Sequence, residues 1–136
     1  MTDTYNDLQQ SYGRCLRDKR FIEHFYTVFM ASHPDVPALF AGTDMQKQYF
    51  ALRHGISVAI LYASGSPIMQ RTVERMADVH GKTGHCPVSP QLYPYWIESL
   101  LKVIATSDPD STPMLLARWR EAMGVMTRSF IQRYDA

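Results

Sequence analysis

The residue best suited to chemistry is His80, whose imidazole lies near the end of an apolar stripe. Met69, Val73, Met76 and His80 are spaced i, i+4, i+7 and i+11. This spacing places them on one face of a helix predicted over Pro67–His80. An imidazole there must hydrogen-bond, face water or bind a metal. His80 is therefore the first candidate for a ligand-binding residue.

A neutral imidazole is a good ligand for haem iron, and a single axial histidine leaves the sixth coordination position open for a gas. The segment that follows His80, Gly81–Pro90, would turn the chain into the next helix. The alternative is a histidine at a helix end whose protonated form interacts with the helix dipole.

Two polar residues on other predicted helices are candidates for the opposite wall of a pocket. Tyr26 lies among apolar residues, and a buried phenol needs a hydrogen-bond partner. Gln48 shares a helix face with Leu52 and Ile56, at i, i+4 and i+8. Tyr26 and Gln48 could both donate hydrogen bonds to a bound gas, while Leu52 keeps water away.

The register of the helix that carries Gln48 leaves alternatives open. A shift of about one residue would put Lys47 or Tyr49 in the place of Gln48. Phe40 ends a short turn after the helix break at Pro34. Its ring could pack flat on a porphyrin or within an ordinary core.

Proline and capping signals divide the chain into helices, and alternating β-branched residues are scarce. A capping hydroxyl followed by proline marks three helix starts: Ser66-Pro67, Ser89-Pro90 and Thr112-Pro113. Thr43 and Gln46 form a capping box that predicts a fourth start. The predicted elements are Asp7–Arg17, Phe21–Ser32, a short turn Val36–Phe40, Thr43–Ala63, Pro67–His80, Pro90–Val103 and Pro113–Tyr134. We expect an all-α fold with six or seven helices around one core.

The composition is that of an ordinary single domain. Among 136 residues, 14 Lys and Arg face 13 Asp and Glu, so the net charge of +1 argues against a strongly basic nucleic-acid surface. Two cysteines, Cys15 and Cys86, are too few for a disulfide scaffold. The polar N-terminus is unlike a signal peptide, and no apolar run approaches the about 18 residues of a membrane span. We expect one cytoplasmic domain, 1–136, that binds neither nucleic acid nor membrane.

The remaining charged residues are interpreted as structural. Three acidic residues have the sequence context of loop charges and not of paired catalytic carboxylates: Asp3, Asp108 and Asp110. Four arginines of the last helix predict a solvated face, or a dimer interface together with Trp96 or Trp119: Arg118, Arg120, Arg128 and Arg133.

The order of these residues along the chain resembles that of the globins. It is most similar to bacterial single-domain globins and to the globin domains of gas sensors, and the resemblance covers about Leu8–Tyr134. The residues that carry it are Tyr26, Pro34 before Phe40, Gln48, Leu52, His80 and the pattern Pro90-x-x-Tyr93.

The resemblance implies a globin-like three-over-three helical sandwich with a pocket for haem b. It implies that His80 binds the iron, and that Tyr26 and Gln48 form the distal pair that contacts a bound gas. The residues implied to contact haem are Phe40, Leu52, Met76, Val88 and Tyr93.

Three features depart from the familiar globin pattern. The gap between His80 and Tyr93 is longer, which leaves His85 as a rival iron ligand. Cys86-Pro87 resembles a short motif in which a thiolate binds haem, and ranks third. The distal position holds no histidine, since His54 lies six residues beyond Gln48.

The function implied by the resemblance is reversible binding of dioxygen, and also of carbon monoxide and nitric oxide. Whether the protein is an enzyme stays open. One alternative is a nitric oxide dioxygenase that works with a separate reductase. Another is a gas-sensing module that signals to a partner. A monomer and a homodimer both fit the sequence.

Overall fold

Helices form the regular structure of residues 3–135, the part of the chain that the computed structural model describes. Seven α-helices and one 3₁₀ turn occur there. They are α1 Asn6–Leu16, α2 Phe21–Ser32, α3 Val36–Leu39, α4 Met45–Ala63, α5 Pro67–Val79, the 3₁₀ turn Pro90–Leu92, α6 Tyr93–Ser107 and α7 Pro113–Gln132. None of these helices has the length and apolar character that crossing a membrane requires.

The helix starts follow the proline signals in part. Ser66 and Ser89, predicted as caps, make no side-chain cap hydrogen bond, and Pro90 opens the 3₁₀ turn, so that α6 begins at Tyr93. Helices α5 and α7 begin at proline, which has no backbone N–H to leave unsatisfied. The Thr112 side chain caps α7 by accepting from the Leu115 amide at 3.1 Å, as predicted. The prediction that Thr43 caps α4 was wrong. Asp44 is the cap, and its Oδ1 accepts from the Gln46 amide at 3.0 Å because a carboxylate suits the positive end of a helix.

The helix ends were predicted less well than the starts. Helix α5 ends at Val79, so that His80 is its C-cap residue and not its last turn. Helix α6 continues to Ser107, past the predicted end at Val103, and α7 stops at Gln132, before the predicted Tyr134.

The helices pack as two layers of three. Contacts join α1 to α4 and α4 to α5 in one layer, and α2 to α6 and α6 to α7 in the other. Helices α4 and α5 of the first layer both contact α7 of the second. The predicted all-α, three-over-three sandwich is therefore confirmed. Its core contains fully buried large side chains, among them Phe25, Ile56, Leu100 and Trp119.

The interpretation of Asp108 as a loop charge was wrong, because Asp108 is only 1% exposed. Its carboxylate accepts from Ser11 Oγ at 2.6 Å and from Arg14 Nε at 2.6 Å. Ser11 in turn accepts from the indole N–H of Trp119 at 3.0 Å. This buried network ties α1 and α7 to the end of α6.

Other charges also have partners. Asp3 and Asp7 bind Arg118, with Arg118 Nη1 2.7 Å from Asp3 Oδ2. Two further pairs, Arg120 with Glu98 and Arg133 with Asp78, lie at the surface, where each such pair contributes little stability. Trp119 is fully buried and therefore unable to line the dimer interface considered above.

We expect Asp108→Asn to lower the free energy of unfolding at neutral pH by about 1–3 kcal/mol, because Arg14 loses a charged acceptor. Burial alone would raise the pKa of Asp108, but the hydrogen bonds from Arg14 and Ser11 outweigh it and hold the pKa below its usual value. This stabilisation is present above the ordinary carboxyl pKa and is lost as pH falls through the lowered one. The effect of the substitution should therefore shrink in acid.

Urea unfolding at neutral pH and in acid, followed by tryptophan fluorescence, measures this effect. Asp110→Asn is the matched control, since the side chain of Asp110 is 71% exposed and lies 3.6 Å from Arg14. Equal losses in the two variants, or a loss that does not depend on pH, would contradict the role given to Asp108.

Candidate functional site

The predicted distal pair, Tyr26 on α2 and Gln48 on α4, is in direct contact. Gln48 Nε2 donates to Tyr26 Oη at 3.0 Å, and Tyr26 is only 3% exposed. The same hydroxyl lies 3.5 Å from the Gln48 carbonyl oxygen, at the outer limit of a hydrogen bond. The phenol oxygen thus accepts a hydrogen bond of good geometry, whereas the phenol proton donates only a long, weak one.

The environment of Tyr26 keeps its phenol protonated. Burial raises the pKa of Tyr26 to about 12, although the hydrogen bond from Gln48 opposes the shift. Like any phenol at neutral pH, the group carries its proton and is a hydrogen-bond donor. Its O–H can donate a hydrogen bond to an acceptor of partial negative charge that binds beside it.

Aromatic side chains surround the Tyr26 ring. Phe40 lies edge-on at a centroid distance of 5.4 Å, and Tyr49 lies tilted at 5.4 Å. Of the alternatives for the distal polar residue, Lys47 is exposed, whereas Gln48 makes the hydrogen bond to Tyr26. Leu52, one turn beyond Gln48, is 8% exposed.

His80 closes α5, and its ring is held by the backbone of the loop that follows. His80 Nδ1 lies 3.1 Å from the carbonyl oxygen of Cys86. A carbonyl only accepts hydrogen bonds, so Nδ1 carries the proton and the lone pair of a neutral ring resides on Nε2. Histidines that bind metals are commonly oriented in this way.

The loop after His80 folds back on the end of α5. The amide of Cys86 donates to the Val79 carbonyl at 2.9 Å, and the amide of Val88 donates to the His80 carbonyl at 3.0 Å. A Cβ on Gly84 would lie 2.2 Å from the Asp78 carbonyl oxygen, so this close approach requires glycine. The bonds satisfy helix-end carbonyls that would otherwise lack partners.

The two rival ligands lie on this same loop. The side chains of His85 and Cys86 are both exposed. Cys86 contacts His80 through its main-chain oxygen. The structure thus gives the thiol of Cys86 no part in holding the imidazole.

Phe130 packs between His80 and a second aromatic residue, Tyr93. Phe130 on α7 lies 5.6 Å from His80 and 5.7 Å from Tyr93, measured between ring centroids. The hydroxyl of Tyr93 is buried and has no hydrogen-bond partner within residues 3–135, and burial raises its pKa. A buried hydroxyl of this kind has an unused donor for a polar group or water.

Phe130 is a site residue that the sequence analysis missed. Its position on the apolar stripe of the last helix is equally compatible with plain core packing, and nothing in the spacing links it to His80. Of the other predicted residues, Met76 and Val88 are half-buried. Met76 faces α4, with its Cε 3.8 Å from where a Cβ on Gly55 would lie.

The structure therefore gathers six of the predicted residues into two groups, and Leu52 and Met76 belong to neither by a contact described above. Tyr26, Phe40 and Gln48 form one, and His80, Val88 and Tyr93 belong to the other. Helix α4 contacts both α2 and α5 and so connects the groups. Surface clefts of about 280 and 180 Å³ lie elsewhere, one beside Arg118 and the other beside Lys19.

The fold and the site together define a class of protein. It is a three-over-three helical sandwich whose fifth helix ends at a histidine, and no residue within 3–135 hydrogen-bonds to Nε2 of that histidine. The sequence matches no protein-family model and no curated protein. A solved structure is similar over nearly the whole chain, with 31% sequence identity and a TM-score of 0.93, and the match covers 98% of this chain and 100% of the other. It is protein PA3967 of Pseudomonas aeruginosa PAO1, described as structurally highly homologous to a human haemoglobin. The chain belongs to the globin family.

We expect His80 to be found as the tautomer protonated at Nδ1. Long-range ¹H–¹⁵N spectra of histidine-labelled protein above pH 7 distinguish the two tautomers, and His80→Gln assigns the signals. His85 is the internal control, because its side chain is exposed on the same loop. A proton on Nε2 of His80 would contradict the hydrogen bond to Cys86.

Proposed function

We propose that this globin holds haem b through His80 and reversibly binds dioxygen, and also carbon monoxide and nitric oxide. The observation that carries the proposal is the 3.1 Å contact between His80 Nδ1 and the Cys86 carbonyl, which leaves Nε2 available to iron. The likeness of the similar Pseudomonas protein to a human haemoglobin supports the same function.

The chemistry of the donor set fits haem. One imidazole nitrogen on a ring that packs beside Phe130 suits a metal whose other ligands arrive with it. The unpartnered hydroxyl of Tyr93 is a buried polar atom for which a bound group or water would supply a partner. When bound, haem would supply an iron that can bind a diatomic gas.

Apolar side chains would hold the group and exclude water from it. Those proposed are Phe40, Leu52, Met76, Val88 and Tyr93. Leu52 and Tyr93 are already buried, whereas the other three are half-buried. Covering apolar side chains of this size is favourable by about 25 cal/mol per Å² removed from water.

Tyr26 is proposed as the donor to bound dioxygen, and Gln48 as the residue that orients it. Because the Gln48 amide donates to Tyr26 Oη, the phenol proton is directed elsewhere. A phenol whose pKa is raised to about 12 keeps that proton at neutral pH. One hydrogen bond of this kind contributes on the order of 1 kcal/mol, which is several-fold in affinity.

The first test is an absorption spectrum of the protein loaded with haem, in ferric, ferrous and carbon-monoxide forms. We expect a strong Soret band for the unsubstituted protein. His80→Ala should lose the features of a histidine-bound iron and regain them in part when imidazole is added. His85→Ala is the matched control and should leave the spectrum unchanged.

Other outcomes of this test have definite meanings. A normal spectrum for His80→Ala, with an altered one for His85→Ala or Cys86→Ala, would assign the iron to that other residue. A chain without a Soret band under haem-replete conditions would contradict the proposed function.

The second test concerns the distal pair. We expect Tyr26→Phe to speed dioxygen dissociation by up to about tenfold and to hasten autoxidation, because the phenol donor is lost. Gln48→Leu should have a smaller effect of the same sign. Stopped-flow displacement of dioxygen by carbon monoxide gives the rate.

Tyr12→Phe provides the matched control. Its phenol is also buried, with a pKa raised to about 12, but it donates to the Arg53 carbonyl at 2.7 Å and belongs to neither group of the site. An unchanged dissociation rate in Tyr26→Phe, or equal changes in both tyrosine variants, would remove Tyr26 from the distal role.

A further inference from the structure

The end of α7 lies against the loop that holds His80. We call residues 130–135, the last turn of α7 and the three residues after it, the C-terminal turn. Every contact described below joins this turn to α5, to His80 or to the segment just after it.

A main-chain hydrogen bond fixes the turn to the loop. The amide of Lys82 donates to the carbonyl oxygen of Tyr134 at 2.7 Å. Gly81 is buried beside it, and a Cβ on Gly81 would lie 3.4 Å from the same oxygen. The two backbones therefore approach closely. The bond satisfies the Lys82 amide and the Tyr134 carbonyl, which both lie outside regular helix.

Two side-chain contacts flank this bond. The Phe130 ring packs at 5.6 Å from the His80 ring, on a residue that is 5% exposed. Arg133 Nη2 donates to both carboxylate oxygens of Asp78, at 3.1 and 3.3 Å, on the last turn of α5. The imidazole, the loop and the helix that carries them are thus each contacted by the C-terminal turn.

These contacts form a connected path to the imidazole. The Tyr134 carbonyl holds the Lys82 amide, and the chain from residue 82 to 86 carries the Cys86 carbonyl that accepts from His80 Nδ1. Displacing residue 82 would displace that acceptor, and loss of Phe130 would remove the aromatic ring that packs beside the imidazole. Ligand orientation by groups outside the metal's own shell commonly tunes metal binding.

We propose that the C-terminal turn positions His80, with Phe130 and the Tyr134 carbonyl as the groups that orient the imidazole. The inferred effect on iron rests on the proposed function. The turn lies about fifty residues away from His80 in sequence, yet it sets the ring's orientation and its freedom to move. A change at the end of the chain should therefore be detected at the imidazole.

The experiment compares a variant that ends at Gln132 with a control that ends at Asp135 and lacks only Ala136. The shorter variant loses the Tyr134 carbonyl and Arg133, whereas the control keeps both. Phe130→Leu and its neighbour Ile131→Ala, 42% exposed, form a second matched pair that leaves the chain at full length. Circular dichroism establishes that each variant is folded.

Two readouts are measured. In protein without haem, amide hydrogen exchange reports on Lys82, and ¹⁵N shifts report on the His80 ring. We expect exchange at Lys82 to rise by about tenfold in the shorter variant, and the His80 ring signals to shift or broaden in both it and Phe130→Leu. In ferrous haem-loaded protein, the iron–histidine stretching band in resonance Raman spectra should shift or broaden in the same two variants.

The outcomes separate this inference from the proposed function. Unchanged Lys82 exchange and unchanged His80 signals in folded variants would overturn the positioning role, even in a protein that binds haem normally. Changed signals in a protein that takes up no haem would support the positioning and contradict the function. If the shorter variant fails to fold, Phe130→Leu decides through the His80 signals alone.

Discussion

The hydrogen bond between His80 Nδ1 and the Cys86 carbonyl is the interaction on which the rest of the site depends. In a neutral ring it assigns opposite roles to the two nitrogens, because Nδ1 must donate to the carbonyl and Nε2 then keeps its lone pair. It also requires the loop to return to the helix end, which Gly84 permits by its close approach to Asp78. A tight loop is therefore part of the chemistry of the site and not merely a connection between helices.

The predicted distal pair, Tyr26 and Gln48, depends on a different physical feature, the burial of a phenol beside an amide. Burial raises the pKa of Tyr26 still further above neutral pH, and the Gln48 amide donates to its oxygen. Helix α4 supplies both Gln48 and Leu52 and contacts α2 as well as α5. The spacing of four residues between Gln48 and Leu52 thus puts a polar group and an apolar group on one face of a helix that reaches both halves of the site.

The sequence predicted what local chemistry controls, and less of what depends on distant contacts. Proline and Thr112 mark helix starts through interactions within a few residues, so most starts were predicted well. The end of α6 depends on Asp108, whose partners Ser11 and Arg14 lie at the other end of the chain. Its burial could not be read from a Ser-Asp-Pro-Asp stretch that looks like a loop. Phe130 was missed for the same reason, since its contact with His80 spans fifty positions.

The polar groups inside the protein fall into two kinds, and the difference bears on function. The carboxylate of Asp108 is fully bonded to its neighbours, as a structural charge must be when it is buried. Tyr93 keeps an unused hydroxyl, and Tyr26 keeps a weakly engaged proton. Buried polar groups are normally hydrogen-bonded, so a buried hydroxyl without a full set of partners can bond to another molecule. Tyr93 lies in the group of His80, and Tyr26 lies in the group that contains Gln48 on α4. These two phenols are therefore the buried polar groups on which the proposed function relies.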